Sequence, residues 1–325
     1  MKRISKLISA LPMIILLFGC SKEKNKSYEK VDNTIYFGSY PQTLVGDTKI
    51  IDDLNSKYSK LPSKDNLNGW IDYNYYIVFN VESFMYYIDV DLDNDNNYDY
   101  RGVYFTKYRP NATGHPSDES HTSQLYNGYL INNVYWFKYE KIKWNILEEN
   151  NGKVMIITDL LIDSHEYYYY ISENETEHNG GVGRSNNYEL SDIRKWLNED
   201  FYSTSFNKYE KKIIEEVLID NSSSQTDSID NNYASNNTLD NITLLSYQEV
   251  KKYYSNSDER KAIPTDYAKC QGIQQKSEYS QWFLRSPSGE SVGHSAFSVA
   301  EEGGIFSSHV NDSYIGVRPV IWIKL

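Results

Sequence analysis

The cysteine content constrains this chain most, because only Cys20 and Cys270 occur among its 325 residues. Cys20 ends an N-terminal apolar segment, which leaves Cys270 alone in the body of the chain. A body with one cysteine cannot form an internal disulfide. Its fold therefore depends on an apolar core, and the chain is long enough to bury one.

The N terminus has the pattern of an export signal. Met1-Lys2-Arg3 is basic, and the apolar run at 7–18 is shorter than the roughly 20 residues of a spanning helix. Residues 17–20, LFGC, resemble the bacterial lipobox, in which the cysteine receives a diacylglycerol and becomes the new N terminus. We therefore predict a signal peptide at 1–19, lipidation of Cys20 and a flexible tether at 20–33. The alternative is a plain secretory signal with a chance cysteine.

These features predict a domain exported to the cell envelope and attached to a membrane through its lipid. The net charge of −12 argues against nucleic acid as a partner, since two polyanions repel. The 31 tyrosines suit β-sheets and polar binding faces alike, because a tyrosine packs its ring and still forms hydrogen bonds through its hydroxyl.

Segment patterns predict a single domain over 34–325. Residues 34–135 are rich in short Tyr, Val and Ile segments, and 136–325 have strands, then helices, then strands. Capping patterns at Ser191, Asn207 and Ser246 predict three helices. We expect an α+β fold, with a mostly antiparallel sheet and a few packed helices.

An ordered set of phrases resembles a bacterial family of exported and lipid-anchored proteins, domain of unknown function 6273. The resemblance spans roughly residues 34–325. The phrases are YFGSYPQ (36–42), YDYRGVYF (98–105), FKYEKIKW (137–144), IRKWLN (193–198), LLS (244–246), WFLRSP (282–287) and GVRPVIWI (316–323).

The last two phrases, with the Gly-rich segment between them, also resemble the end of a C-type-lectin-like domain. That resemblance implies a tryptophan strand, a hairpin and a final strand. Trp282, Arg285 and Arg318 are the ligand-binding candidates. Each arginine lies between an apolar strand and a proline, a position that would direct it at a ligand carboxylate or phosphate. The alternative for both arginines is burial against backbone carbonyls or an acid, which fixes the strand ends.

An aspartate-rich segment is the sharpest candidate for metal binding. Its carboxylates suit Ca²⁺, but the Gly and Glu positions of an EF-hand loop are not met. A polar hairpin tip is the favoured interpretation. The calcium candidates are Asp89, Asp91, Asp93, Asp95 and Asp99.

No phosphate loop, dinucleotide fingerprint or zinc-type histidine spacing occurs in the sequence. His165 and Glu166 are a weak acid–base candidate. We expect a non-catalytic binding or structural domain with no cofactor, and a glycan or a protein as its ligand. The alternative is an exported hydrolase or modifying enzyme that uses scattered acids and histidines.

Overall fold

A computed structural model describes residues 28–73, 85–107, 127–168, 185–227, 234–289 and 293–325. The signal peptide, Cys20 and all but the end of the tether lie outside the described residues. The described chain is a mixed α and β structure with mostly antiparallel sheets and few helices, which confirms the predicted fold class. None of its helices is both long and apolar enough to cross a bilayer.

A ten-stranded sheet forms the centre of the described structure. Its main path runs β12-β17-β7-β6-β5-β4-β3, and β2, β1 and β9 pair beside that path. Its strands are β1 (Glu29–Val31), β2 (Thr34–Leu44), β3 (Ile71–Asp72), β4 (Met85–Val90), β5 (Tyr100–Phe105), β6 (Val134–Asn150), β7 (Lys153–Thr158), β9 (Ile214–Glu215), β12 (Ile242–Thr243) and β17 (Val320–Lys324).

The seventeen-residue strand β6 joins the two parts of this sheet. Its first residues pair with β5, its last residues pair with β7, and its middle pairs with β2. Trp144 at its centre is fully buried and donates its indole N–H to the carbonyl of Phe37, 2.8 Å away. Through β6, the aromatic N-terminal strands and the later strands thus belong to one sheet.

A second sheet has the order β15-β14-β13-β16-β8, and a separate two-stranded ribbon pairs β10 with β11. The predicted C-terminal hairpin is confirmed, since Ser295 pairs with His309 across β14 and β15. The strands are β8 (Asp163–Ser164), β10 (Val217–Ile219), β11 (Thr238–Asp240), β13 (Trp282–Pro287), β14 (Ser295–Val299), β15 (Ile305–His309) and β16 (Gly316–Val317).

Helices are short throughout the described ranges. The α-helices are α1 (Thr48–Lys57), α2 (Asp192–Trp196), α3 (Tyr202–Ser205), α4 (Tyr247–Tyr253), α5 (Ser257–Arg260) and α6 (Asp266–Gln271). A π-helical turn at Leu197–Phe201 joins α2 to α3. Single 3₁₀ turns lie at Tyr188–Leu190, Glu210–Lys212 and Ser223–Gln225.

Two of the three predicted helix starts are confirmed, and one is wrong. Ser191 and Ser246 each accept a backbone N–H at the start of a helix. Asn207 also accepts the N–H of Glu210, at 3.1 Å, but only a 3₁₀ turn follows. The chain then enters β9 because Ile214 pairs with Ile323 of β17. Sheet pairing has overridden the local helix signal there.

The helical segment 192–205 packs against β2 through aromatic rings. Phe206 lies 5.0 Å from Phe37, and Phe201 lies 5.2 Å from Tyr40, between ring centroids. Gly38 of β2 permits this approach, since a Cβ there would lie 2.5 Å from the Phe206 ring and the residue has φ +67°. The contact fixes the distance between β2 and the segment.

Candidate functional site

A cleft of about 450 Å³ opens between the N-terminal strands and the helical segment. Its volume is in the range of small-ligand sites, about 300–1,000 Å³. One side, here called the N-terminal wall, comprises Tyr40, Ile71, Asp72, Tyr73, Tyr87 and Arg101. The other side, the helical wall, comprises Asp163, His165, Asp192, Lys195, Trp196, Asp200 and Thr204.

Arg101 of β5 is the buried base of the N-terminal wall, with 3% of its surface exposed. Its Nε and Nη2 donate to the two carboxylate oxygens of Asp89, each at 2.7 Å. Nη1 donates to the hydroxyl of Tyr267 at 3.0 Å. Asp89 and Arg101 are cross-strand partners in the β4–β5 ladder, so strand register places this ion pair. The buried positive charge of Arg101 is therefore compensated by the carboxylate of Asp89.

Tyrosine rings surround the Arg101 guanidinium. Its carbon lies 4.4 Å from the ring centre of Tyr87 and between 5.5 and 5.8 Å from those of Tyr40, Tyr139 and Tyr267. Burial alone would lower the pKa of Arg101, but Asp89, Tyr139 and Tyr267 together outweigh burial and hold that pKa well above its usual value. The base of the wall is a permanently charged, rigid group.

Tyr40 connects the two walls. Its hydroxyl donates to Oδ2 of Asp163 at 2.6 Å, and Oδ1 of Asp163 accepts the backbone N–H of Ser164 at 2.7 Å. Burial, followed by the charge of Asp163, raises the pKa of Tyr40 well above its usual range. Tyr40 therefore stays protonated and keeps donating to Asp163, which holds that carboxylate at the bottom of the cleft.

The helical wall is built on a capped helix and a π turn. The Ser191 hydroxyl accepts the N–H of Arg194 and starts α2, which carries Lys195 and Trp196. Trp196 is half-buried, stacks on Phe201 at 5.4 Å and lies 5.3 Å from the ring of His165. Nδ1 of His165 donates to the carbonyl of Glu166 at 2.7 Å. These contacts fix two flat side chains at the edge of the cleft.

Asp200 lies in the π turn, a kind of helix irregularity that is frequent at functional sites. Partial burial, followed by the charge of Glu199, raises the pKa of its carboxyl, while Lys195 and Arg101 act in the opposite direction. No hydrogen bond from the described residues offsets this burial. The carboxylate is available to a group that enters the cleft.

A larger groove of about 870 Å³ runs beside the aspartate-rich segment. Its central charges satisfy one another, because Glu210 accepts from Lys141 at 2.8 Å and from the backbone N–H groups of Gly38 and Asn207. The smaller cleft combines aromatic rings, an uncompensated carboxylate and a buried cation. It is therefore the stronger candidate for a binding site.

The ligand-binding candidates Trp282, Arg285 and Arg318 lie in the interior. Arg285 forms a two-point ion pair with Glu249 and donates to the carbonyl of Leu244 at 2.7 Å. Arg318 donates to the carbonyl of Thr158 at 2.9 Å and lies 5.2 Å from the ring centre of Trp282. These contacts favour the alternative, in which the arginines fix strand ends. A ligand-binding role for the three residues stays a prediction.

Three of the five calcium candidates come together. Carboxylate oxygens of Asp91, Asp93 and Asp99 lie within 4.8 Å of one another. Asp89 pairs with Arg101 instead, and Asp95 accepts from the backbone and side-chain nitrogens of Asn97 at 2.8 and 2.9 Å. Backbone N–H groups fill part of the cluster, since Leu92 donates to Asp99 at 2.7 Å. Asn94 and Asn96 have positive φ, as a hairpin tip requires.

The cleft residues were not predicted as a site, apart from His165 as a weak candidate. The phrases used for family resemblance nevertheless contain Tyr40, Arg101 and Trp196. Asp163 and Asp200 lie in neither those phrases nor any motif. The available signal was an arginine inside an apolar strand, between Tyr100 and Val103, where an unpaired charge is costly.

Comparison with protein-family models gives a match. The model of a family described as a domain of unknown function (DUF6273) matches residues 151–325, which is more than half of the chain. No curated protein and no solved structure matches. The matched region begins directly after β6, so it contains the helical wall and leaves the N-terminal wall outside.

Proposed function

Because the chain belongs to the family described as a domain of unknown function (DUF6273), we propose a function from the cleft itself. The protein is a membrane-anchored binding protein that holds a sugar unit of a glycan between its two walls. One observation carries this proposal. Flat aromatic side chains and carboxylates converge on one concave site, around Trp196, Tyr87, Asp163 and Asp200.

Sugar rings suit such a lining because they have apolar C–H faces and polar edges. Aromatic rings such as Trp196 and Tyr87 pack against the faces, and carboxylates such as Asp163 accept hydrogen bonds from hydroxyls. The rigid base around Arg101 lowers the cost of ordering the site when a ligand binds. A concave site of this volume fits a single small unit better than it fits a flat protein surface.

The anchor is part of the proposal. The LFGC sequence at 17–20 supports lipidation of Cys20, and a lipid would hold the domain at the envelope membrane. Cys20→Ser should release the protein from the membrane fraction or leave it unprocessed. Unchanged detergent partitioning of that variant would contradict the anchor and leave the cleft proposal standing.

The C-type-lectin-like likeness supports the same function from another direction. The tryptophan strand β13, the hairpin β14–β15 and the final strand β17 follow one another in the order of the resembling phrases. We include a lectin-like relation in the proposal as a sequence resemblance. The proposed sugar site does not depend on it, since the cleft lies on other strands.

A glycan array with the soluble domain tests the proposal. We expect binding to a restricted set of glycans, and Tyr87→Ala and Trp196→Ala should abolish it. Phe306→Ala is the matched control, because Phe306 is an exposed aromatic on β15 that does not line the cleft. An array without binding, or binding that all three variants keep, would contradict the proposal.

The alternative is an exported hydrolase that works in the same cleft. Asp200, whose carboxyl pKa is raised by partial burial and by Glu199, suits a general acid, and Asp163 suits a second carboxylate. Incubation of array-positive glycans with the protein separates the two functions. Product formation that Asp200→Asn abolishes would favour the hydrolase.

A further inference from the structure

The cleft adjoins the groove of about 870 Å³ that runs beside the aspartate-rich segment. Thr204 of α3 lines both spaces. On β2, Ser39 lines the groove and the next residue, Tyr40, lines the cleft. The two spaces therefore meet between β2 and the helical segment 192–205. A chain with one unit in the cleft can continue along the protein surface into the groove.

One side of the helical segment leads from the cleft towards the groove. Asp192, Trp196, Asp200 and Thr204 follow one another at intervals of four residues, and all four line the cleft. Side chains at that spacing lie on one side of a helix. Thr204, the last of this row, also lines the groove. At about 1.5 Å per residue the row covers about 18 Å along the helix axis, which is longer than one sugar ring.

The groove presents two aromatic side chains of its own. Tyr98 and Tyr209 line it with 46% and 53% of their surfaces exposed. The ring of Tyr98 lies 5.5 Å from the ring of Tyr139, which is one of the tyrosines around Arg101. Ser203, also in the groove, supplies a hydroxyl that can form hydrogen bonds with sugar hydroxyls. Surfaces that suit sugar rings therefore continue beyond the cleft.

We propose that the protein binds several consecutive units of a linear glycan, with one unit in the cleft and the next ones in the groove. This inference rests on the proposed glycan-binding function and specifies its ligand as an oligosaccharide chain instead of a single sugar. Tyr98 and Tyr209 pack against the units that lie outside the cleft. A neutral chain suits the groove, because its central charges, Lys141 and Glu210, pair with each other at 2.8 Å.

Calorimetric titration with oligomers of different length tests the inference. The probes are the β1,4-linked dimer and hexamer of N-acetylglucosamine and, in parallel, those of glucose, all of which are neutral. A cleft that holds a single unit would favour the hexamer only in proportion to the number of units that each oligomer offers. We expect a larger gain, with at least about tenfold tighter binding of the hexamer, which corresponds to about 1.4 kcal/mol.

Variants in the groove should act mainly on the long oligomer. Tyr98→Ala and Tyr209→Ala should each weaken binding of the hexamer several-fold more than binding of the dimer, whereas Trp196→Ala, in the cleft, should weaken both. Phe306→Ala is the matched control, because Phe306 is 51% exposed and lines neither space. Circular dichroism checks that each variant is folded.

The outcomes separate this inference from the proposed function. A gain no larger than the number of units explains, with dimer binding lost in Trp196→Ala, would overturn the extended site and leave glycan binding intact. Equal losses of dimer and hexamer binding in the groove variants would also overturn it. If no oligomer of either series binds, the inference fails, while the glycan array decides the proposed function independently.

Discussion

The two walls of the cleft use charged residues in different ways. In the N-terminal wall, Arg101 is buried and its three donor nitrogens contact Asp89 and Tyr267. In the helical wall, Lys195 is exposed, Asp200 is exposed over part of its surface and Trp196 is half-buried. Internally satisfied charges define the shape of a site, whereas partly exposed ones are available to a ligand. We therefore expect substitution of the charged residue Arg101 in the first wall to affect folding, and substitutions of the charged residues in the second wall to affect binding.

The largest expected effect is on stability, in the N-terminal wall. Arg101→Met leaves the Asp89 carboxylate buried without its partner, and breaking a buried ion pair costs about 3–5 kcal/mol. The free energy of unfolding from urea denaturation should fall by that amount. Lys195→Met, in the other wall, should change it by no more than about 0.5 kcal/mol.

A double variant shows whether charge is the cause. Asp89→Asn added to Arg101→Met removes the orphaned carboxylate, so part of the lost stability should return. If Arg101→Met alone unfolds with the parental free energy, the N-terminal wall is not held by this ion pair. The contrast between the walls would then disappear.

The next effect is on affinity, in the helical wall. Trp196→Ala removes an aromatic face at the edge of the cleft and should lower glycan affinity at least about tenfold. Calorimetry measures the affinity, and circular dichroism checks that the domain stays folded. A Trp196→Ala variant that is largely unfolded, but whose folded fraction binds the glycan as the parent does, would contradict this. Trp196 would then support the fold and not binding.

A smaller effect concerns pH. Because the pKa of Asp200 is raised by partial burial and by Glu199, its charge is lost at a higher pH than that of an ordinary aspartate, about 3.9. Affinity for an array-positive glycan should therefore fall as the pH drops through that raised pKa, because the protonated carboxyl is a weaker hydrogen-bond acceptor. Asp200→Asn should shift this fall to lower pH.

Stability should respond with the opposite sign. A carboxyl whose pKa is raised by folding binds its proton more tightly in the folded state, so its charge opposes folding above that pKa. Asp200→Asn should leave the melting temperature at neutral pH unchanged or slightly higher. A clear drop in melting temperature would show that Asp200 supports the fold as Asp89 does.

The smallest expected effect is that of calcium on the cluster of Asp91, Asp93 and Asp99. A specific site saturated about a hundredfold above its dissociation constant would add about 3 kcal/mol. We expect a shift below about one degree in millimolar calcium against chelator, because backbone N–H groups already satisfy part of the cluster. A rise of several degrees, absent in the Asp91→Asn, Asp93→Asn double variant, would make this segment a metal site.

Local patterns in the sequence predicted the elements whose stability is local. The helix cap at Ser191, the capping box at Ser246 and the C-terminal hairpin are such elements. The signal at Asn207 failed because Ile214 is held by pairing with the distant strand β17, which a local pattern cannot include.

The cleft could not be predicted from the sequence, because its contacts join residues that are far apart in the chain. Tyr40 meets Asp163, and Arg101 meets Tyr267, over separations of 123 and 166 residues. Neither contact has a spacing that a motif could record. The aspartate-rich segment was predicted as a metal-site candidate because its residues are neighbours in sequence. The hairpin turn that they form accounts for much of their arrangement. The aspartates that are adjacent in sequence lie at a turn, whereas the charged residues of the cleft come from distant parts of the chain.

The attachment of β2 beside β6 has a mechanical consequence. A pulling force on the residues before Tyr28 acts first on β1, an exposed three-residue strand. The hydrogen bonds between β1 and β2 then break one after another. The load then reaches β2, which is drawn lengthwise against β6, so that its ladder bonds and the Trp144–Phe37 bond share the force. We therefore expect β1 to detach from β2 before the pulling force acts on Tyr40.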